Sequence, residues 1–131
     1  MIGSVDARLR PLLRIEQVQG QQGILAVVNT GFNGELMLSR NVAAEFGMTE
    51  REGYSTVTLA GGQTHIVRRG YGTISWFARP RRIEVLIHVE DLPARLRDQD
   101  EPVGLVGTGL LYPHMLAIDF AARTLEVRQH A

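Results

Sequence analysis

The side chain that could most directly take part in chemistry is that of Asn29, which follows the apolar run Ile24–Val28. It is followed by Thr30-Gly31 and by a turn of small residues that ends at Gly34. A carboxamide donates and accepts hydrogen bonds, but it has no titratable proton near neutral pH. Asn29 can therefore hold a polar ligand but cannot act as a general acid or base. Since Asn and Gly are ordinary turn residues, these residues alone would favour a simple strand-ending turn.

Two separated segments resemble the motifs of one known family. With Asp in place of Asn29, this stretch would be the Asp-Thr-Gly motif of an aspartic peptidase. The next segment, Glu35–Met48, is similar to the rest of that motif in the small retropepsin-like peptidases of prokaryotes. The run Gly104–Leu111, followed by Leu116–Phe120, resembles the second family motif, in which a strand ending in Gly precedes a small helix. The resemblance covers about Ile24–Val127, with Asn in place of the catalytic Asp.

This resemblance implies a chemistry and an assembly. In such peptidases two carboxyl groups share one proton, so that one activates a water and the other protonates the substrate. One chain carries one motif, which implies a homodimer with two-fold symmetry. Asn29 would replace both carboxyl groups, and a positioned acid or base contributes roughly 10²–10⁴-fold to the rate. We therefore expect an endopeptidase scaffold that is inactive as written, and an active Asn29→Asp variant. The Asn would then mark either an engineered variant or a natural pseudo-peptidase.

The resemblance also implies roles for the loop after the catalytic position. Thr30 would hydrogen-bond across the dimer axis, and Gly31 would let the backbone approach an extended peptide or protein substrate. Phe32 and Asn33 would line the substrate cleft, with simple packing or turn formation as an equal alternative, and Gly34 would allow the turn. These residues are therefore the expected catalytic and substrate-binding loop.

A hairpin at residues 59–67 would be the flap that closes over bound peptide. Its tip, Gly61-Gly62-Gln63, is the third expected substrate-binding element. Glycine at a hairpin tip permits the backbone conformations that a moving lid requires, and such lids exclude water from the site. An ordinary β-hairpin would have the same composition, so this role depends on the position of the hairpin in the motif order.

Short apolar runs separated by Gly and Pro predict an all-β domain with a retropepsin-like barrel and one or two short helices. Ser39 begins the predicted first helix, which ends near Gly47, and Thr108–Leu111 forms the predicted second helix. The Arg79–Arg81 segment is the predicted turn between two long strands, and Gly20–Gly23 is an earlier turn. The predicted strands are Leu12–Val18, Ile24–Val28, Leu36–Leu38, Ser55–Ala60, Thr64–Arg69, Tyr71–Phe77, Ile83–Val89, Gly104–Val106, Met115–Phe120 and Thr124–Arg128.

Bulk properties limit the alternatives. A chain of 131 residues has room for a single domain, 1–131, in which residues 1–11 are expected to be a loose N-terminal segment. We interpret Asp91–Pro102 as a surface connection because it is polar and lacks periodicity. There is no cysteine, which excludes disulfides and a Cys nucleophile. No signal peptide or spanning apolar run is recognisable, so we expect a cytoplasmic protein without membrane contact.

The four histidines lack metal-ligand spacing, so no metal and no cofactor are expected. Two other functions stay open. A non-catalytic domain could use the same cleft, or a sheet edge, to bind a peptide or to assemble. A weaker alternative is a β-barrel that binds single-stranded nucleic acid through an arginine-rich surface at Arg68, Arg69, Arg79, Arg81 and Arg82. The net charge of zero argues against nucleic acid as a partner.

Overall fold

The computed structural model describes residues 1–18, 23–59, 61–93 and 100–130. Eleven strands and two short helices make up these parts of the chain. In chain order they are β1 (Ile2–Val5), β2 (Pro11–Gln17), β3 (Ile24–Val28), β4 (Leu36–Ser39), α1 (Arg40–Glu45), β5 (Thr49–Glu50), β6 (Ser55–Thr58), β7 (Thr64–Trp76), β8 (Arg79–His88), β9 (Gly104–Val106), α2 (Thr108–Leu111), β10 (Met115–Asp119) and β11 (Thr124–Arg128).

Six of these strands close into a barrel. They follow the order β2, β3, β9, β4, β8 and β7, and β7 pairs again with β2. The β3–β9 and β4–β8 pairs are parallel, whereas the other four pairs are antiparallel. Strands β1, β11 and β10 extend the sheet beyond β2, and β5 and β6 pair with β7. The prediction of an all-β barrel with short helices is confirmed.

The barrel interior is filled by apolar side chains, which alternate with outward-facing side chains along the strands. On β2, Leu13 and Ile15 are buried while Arg14 and Glu16 face outward, the period-two pattern of a half-buried strand. The main core is continuous through α1, which contributes Val42 to it. A second, smaller cluster of buried residues lies beside this core and consists of Phe32, Met37, Val67 and Leu86. We call this group the Phe32 cluster.

Helix α1 matches its prediction closely. Ser39 is the residue before the helix, although its hydroxyl bonds the Asn41 side chain rather than a backbone N–H of the first turn. The helix ends before Gly47, whose φ of 77° is the left-handed conformation that glycine adopts without a steric penalty. The short helix thus follows β4 immediately and packs its apolar face on the barrel.

The N-terminal segment differs from its prediction. Residues 1–11 were expected to be loose, but Ile2–Val5 forms β1, which pairs with both β11 and β2. Gly3 makes this possible, because a Cβ at that position would lie 2.1 Å from the Leu12 carbonyl oxygen. Met1 adds two backbone hydrogen bonds to Val127, each 2.8 Å long. Strand β11 is over a hundred residues away from β1 in sequence, and local patterns do not reveal such a partner.

The predicted turn at Arg79–Arg81 is also wrong in position. The chain reverses instead at Phe77 and Ala78, whose φ values are 52° and 60°, and Trp76 pairs with Arg79 across the turn. Two consecutive left-handed residues form the tight hairpin turn that matches strand twist. Gly and Asn usually mark such turns, and neither is present here. The proline at position 80 therefore lies within β8 rather than in the turn.

The predicted strands Thr64–Arg69 and Tyr71–Phe77 form a single long strand, β7. They join at Gly70, where a Cβ would lie 2.6 Å from the Thr49 carbonyl oxygen. The predicted Gly20–Gly23 turn and most of the Asp91–Pro102 connection lie outside the described residues. Within the described ranges, neither helix is long and apolar enough to cross a membrane.

Candidate active site

Asn29 lies where the parallel pair β3–β9 ends. Val28 is opposite Val106 in this ladder, and the Asn29 N–H donates to the Val106 carbonyl oxygen at 2.9 Å. Two buried strands therefore hold the backbone of Asn29, while its side chain extends into the loop beyond them. The residue is half-buried, and the two that follow it, Thr30 and Gly31, are exposed. Such a position suits a side chain that must be both fixed and reachable.

The Asn29 side chain is oriented by its own loop. The Gly31 N–H donates to Asn29 Oδ1 at 2.9 Å, and the Phe32 N–H donates to the Asn29 carbonyl oxygen at 3.1 Å. A carboxylate oxygen would accept the same Gly31 hydrogen bond, and such a bond favours the ionised form of an acid. The loop is therefore shaped to orient an acceptor oxygen at this position, whether it belongs to an amide or to an acid.

The start of α2 is hydrogen-bonded to this loop. Three backbone N–H groups, those of Gly107, Thr108 and Gly109, donate to the carbonyl oxygens of Glu35 (3.1 Å), Phe32 (2.8 Å) and Gly34 (3.1 Å). A Cβ on Gly107 would lie 2.2 Å from the Gly34 oxygen, closer than real contacts allow. Glycine is therefore required where the second motif crosses the first. The structure thus brings together the two segments that resemble the family motifs.

Phe32 is placed differently from its prediction. It was expected to line the substrate cleft, but its side chain is only 1% exposed and packs within the Phe32 cluster. Gly34 makes room for the ring, since a Cβ there would lie 2.4 Å from the Phe32 Cζ. Burying such a ring stabilises the fold by about 2–3 kcal/mol. Phe32 therefore supports the loop from inside, and in the single chain its ring is not available to a peptide.

The other loop residues are accessible. Thr30, Gly31 and Asn33 are exposed, and Gly34 is half-buried. Within the described part of the chain the Thr30 hydroxyl has no hydrogen-bond partner. The loop thus has an exposed Thr30 next to the half-buried Asn29.

The hairpin formed by β6 and β7 projects beside this loop. In its ladder Ser55 lies opposite Val67 and Thr58 lies opposite Thr64. At the tip, the Leu59 N–H donates to the Gln63 oxygen and the Gly62 N–H donates to the Leu59 oxygen. Gly62 has a φ of 81°, and nothing lies within 4 Å of a Cβ built on it. The described tip residues, Gly61 to Gln63, are exposed as a flap tip requires. Ala60 lies outside the described residues.

The first strand of the hairpin and the residue after it contact the Phe32 cluster. Val57 and Leu59 are half-buried and pack against it, as does Leu105 of β9. Phe32 lies three residues after Asn29, and its backbone bonds both Asn29 and α2. The predicted flap and the predicted catalytic loop are therefore joined through one buried cluster.

Two acidic residues, Glu35 beside the loop and Asp119 on β10, already accept hydrogen bonds. The Glu35 carboxylate accepts hydrogen bonds from the Glu84 N–H at 2.9 Å and from Arg81 Nη2 at 3.1 Å. Arg81 also donates to the Leu110 carbonyl oxygen at 3.3 Å, so it links β8 to both the loop and α2. The Asp119 carboxylate accepts the Ala122 N–H in the β10–β11 turn. Both carboxylates are therefore occupied by hydrogen bonds within the chain.

The arginine-rich surface is largely engaged within the chain. Arg68 pairs with Glu50 and bonds the Tyr54 hydroxyl, and Arg69 pairs with Glu84. Arg81 is held by Glu35, and Arg82 lies over the Tyr71 ring. Among the described residues, no three His, Asp or Glu side chains come together as a metal site.

No protein-family model matches the chain, and no curated protein sequence is similar to it. Solved structures do resemble it. A retropepsin-like aspartic protease from Rickettsia conorii aligns over 97% of this chain and 88% of its own, with a TM-score of 0.68 and 15% sequence identity. EIAV protease in complex with the inhibitor HBY-793 aligns over 81% of this chain and 88% of its own, with a TM-score of 0.56 and 16% identity. The chain therefore has a retropepsin-like fold.

Two features of the site region were missed from the sequence. One is the brace between Glu35 and Arg81, which are 46 residues apart. The other is a contact between His65 and His88, 23 residues apart, at the base of the hairpin. Opposite charges and paired histidines occur at many spacings, so only the pairing of β8 with β4 and with β7 could have indicated these contacts.

Proposed function

We propose that this chain is one half of a homodimeric aspartic endopeptidase scaffold in which Asn29 occupies the position of the catalytic acid. The observation that carries the proposal is the hydrogen bond from the Gly31 N–H to Asn29 Oδ1 at the end of β3. It orients an acceptor oxygen, and the retropepsin-like fold supports the role of this loop. In this proposal, all 131 residues form a single domain that supplies one motif to the site.

In the proposed dimer, two exposed loops meet at the two-fold axis. The unpartnered Thr30 hydroxyl supplies a hydrogen bond to the opposite loop, and the two Asn29 side chains face each other. Gly31, Asn33 and Gly34 offer backbone and amide groups to an extended peptide, over which the tip Gly61–Gln63 closes. Phe32 supports this surface from inside.

With Asn at position 29, the site binds a peptide but does not cut it. An amide can neither take a proton from water nor give one to the substrate carbonyl. With Asp at both positions 29, the two carboxyl groups would share one proton, so that activity is highest where the pair is singly protonated. Activity then falls as the pH rises and the second proton leaves. The Asn29→Asp variant therefore cuts unstructured protein in acid solution, and the unmodified chain does not.

The test compares three forms against an unstructured protein substrate between pH 3 and 8. The forms are the unmodified chain, Asn29→Asp, and Asn33→Asp as a matched control that adds the same charge in the same loop. We expect cleavage by Asn29→Asp alone, with intact mass measured for each form to detect self-cleavage. A folded, dimeric Asn29→Asp variant that cuts nothing would contradict the peptidase proposal, as would cleavage by the unmodified chain.

A second candidate is a binding domain that keeps the cleft and has no catalysis. The observation that favours it is Asn29 itself, because the loop is intact in all other respects and lacks only the acid. Here, the unmodified chain binds extended peptides, and Asn29→Asp neither gains activity nor binds better. Binding of a peptide library is measured for the unmodified protein and for Thr30→Val, which weakens the proposed dimer. Binding in the cleft of the dimer should weaken with it, whereas binding elsewhere on the chain should not.

A further inference from the structure

Two histidines, His65 on the hairpin and His88 on β8, contact each other. His65 Nδ1 lies 3.2 Å from His88 Nε2, and the rings meet edge to face with 5.2 Å between their centroids. The β7–β8 ladder begins at the pair Val67–His88. His65 therefore lies on the part of β7 that has already left β8 and pairs only with β6, opposite Val57. The contact between the rings bridges this gap.

The hydrogen bonds around the pair allow only one arrangement of protons. The Glu90 N–H donates to His88 Nδ1 at 3.2 Å, so a neutral His88 must carry its proton on Nε2. That proton points to His65 Nδ1, which must therefore be the acceptor. The proton of a neutral His65 is then on Nε2. The tautomers of both rings follow from one backbone N–H.

This arrangement leaves one donor without a partner. His65 Nε2 is buried, and it is the one buried side-chain nitrogen or oxygen without a hydrogen bond within the described ranges. A buried N–H without a partner costs more than a typical hydrogen bond contributes. Release of His65 to solvent would give this nitrogen a hydrogen-bond partner, which favours the open arrangement, whereas the packing of Val57 and Leu59 on the Phe32 cluster favours the closed one.

An added proton has no acceptable place in the closed pair. The two unprotonated nitrogens are His65 Nδ1, which faces the N–H of His88, and His88 Nδ1, which faces the N–H of Glu90. Protonation at either nitrogen places two donors opposite each other and removes a hydrogen bond. The closed contact therefore exists only while both rings are neutral.

The groups around the pair do not supply a compensating charge. Neighbouring strands contribute neutral residues, namely Val57 of β6 and Ser39 of β4, which lies opposite His88. The charged and titratable groups that line a pocket with His88 are Arg40, Glu50, Tyr54 and Arg68, and Glu90 follows on the same segment. Two arginines and two carboxylates balance, and Arg68 is already paired with Glu50.

We propose that His65 and His88 form an acid-released latch that holds the hairpin against the barrel and frees it when either ring gains a proton. Histidine is the side chain whose ordinary charge change falls between about pH 5 and 8. The latch rests on the proposed function in one respect, since it regulates access to that site only if the hairpin is the flap. The opening itself needs no catalysis.

Hydrogen exchange on the unmodified protein tests the opening. After correction for the intrinsic effect of pH, amides from Gly61 to Ile66 should exchange about fivefold faster at pH 5 than at pH 8, the factor for about one hydrogen bond. Amides of β3 serve as the internal reference and should not change. Equal corrected exchange at the hairpin at both pH values would overturn the proposal.

Two variants assign the effect to the pair. His65→Phe keeps a planar ring in the same space but takes no proton, so hairpin exchange should be the same at pH 5 and 8. His114→Gln removes a histidine elsewhere, and the fivefold response should remain. A response that persists in His65→Phe, or disappears in His114→Gln, would overturn the latch.

A direct reading of the tautomers needs no variant. Nitrogen-15 spectra at pH 8 should show both His65 and His88 protonated on Nε2. A proton on Nδ1 of His88 would overturn the argument whether or not any variant folds. The outcome is separable from the proposed function: a working latch with an inactive Asn29→Asp variant contradicts only the peptidase. An active variant whose hairpin ignores pH contradicts only the latch.

Discussion

The crossing of the two motifs predicts a large effect of a single methyl group. In Gly107→Ala, the new Cβ would lie 2.2 Å from the Gly34 oxygen and 2.5 Å from the Phe32 oxygen. Both atoms are backbone, so no side chain can move aside, and the loop must separate from α2. This separation stretches the three hydrogen bonds that Gly107, Thr108 and Gly109 donate to the loop. At about 1 kcal/mol each, their loss lowers the free energy of unfolding by about 3 kcal/mol.

Gly61→Ala is the matched control, because a Cβ at Gly61 meets nothing within 4 Å. A methyl group in open space should change the free energy of unfolding by less than about 1 kcal/mol, with stabilisation expected from the smaller entropy of the unfolded chain. Urea unfolding at one fixed protein concentration, followed by the fluorescence of the single Trp, Trp76, measures both variants. A Gly107→Ala variant as stable as its parent would refute the close approach of the two motifs.

Two further results are expected from single side chains. Burial first, and then the positive charge of Arg81, lower the pKa of His114 below its ordinary value, so His114 stabilises the fold above about pH 6.5 and loses this contribution as the pH falls through its folded-state pKa. Urea midpoints from pH 8 to 4 should therefore fall less in His114→Gln than in the unmodified protein, and equal falls would contradict this assignment. Thr30→Val should leave the stability of the monomer within about 0.5 kcal/mol but weaken dimerisation roughly tenfold, as for two lost hydrogen bonds. Sedimentation over a range of concentrations measures this change, and an unchanged dimer affinity would remove Thr30 from the proposed interface.

Local patterns were sufficient for much of the fold. The apolar run of β3, the glycine at the end of α1 and the Gly61-Gly62 tip each act within a few residues, and the structure places all three as predicted. The contact between the two motifs was also predictable, because a family resemblance ordered them along the chain. These features depend on short-range conformational preferences and on one known arrangement.

Two of the three misses share a physical cause, which is dependence on partners elsewhere in the chain. Strand β1 exists because β11 and β2 accept it, and Ile2, 73% exposed, shows little of the pattern of a buried strand. Phe32 was expected in the cleft because it follows the motif, but Gly34, Val67 and Leu86 form the interior space that its ring fills. The turn at Phe77 lacked the residues that usually report a left-handed conformation.

The central claim is that each chain supplies one half of a catalytic site through position 29. The most direct measurement dilutes a fixed amount of the Asn29→Asp variant with increasing amounts of the unmodified chain, at concentrations where subunits exchange. If a competent site needs Asp from both chains, an equal mixture should halve the activity, because random pairing leaves half of the Asp-bearing chains with an Asn-bearing partner. We expect this halving and a further fall at higher ratios. Activity that is independent of the added chain, or absent from Asn29→Asp alone, would contradict the account.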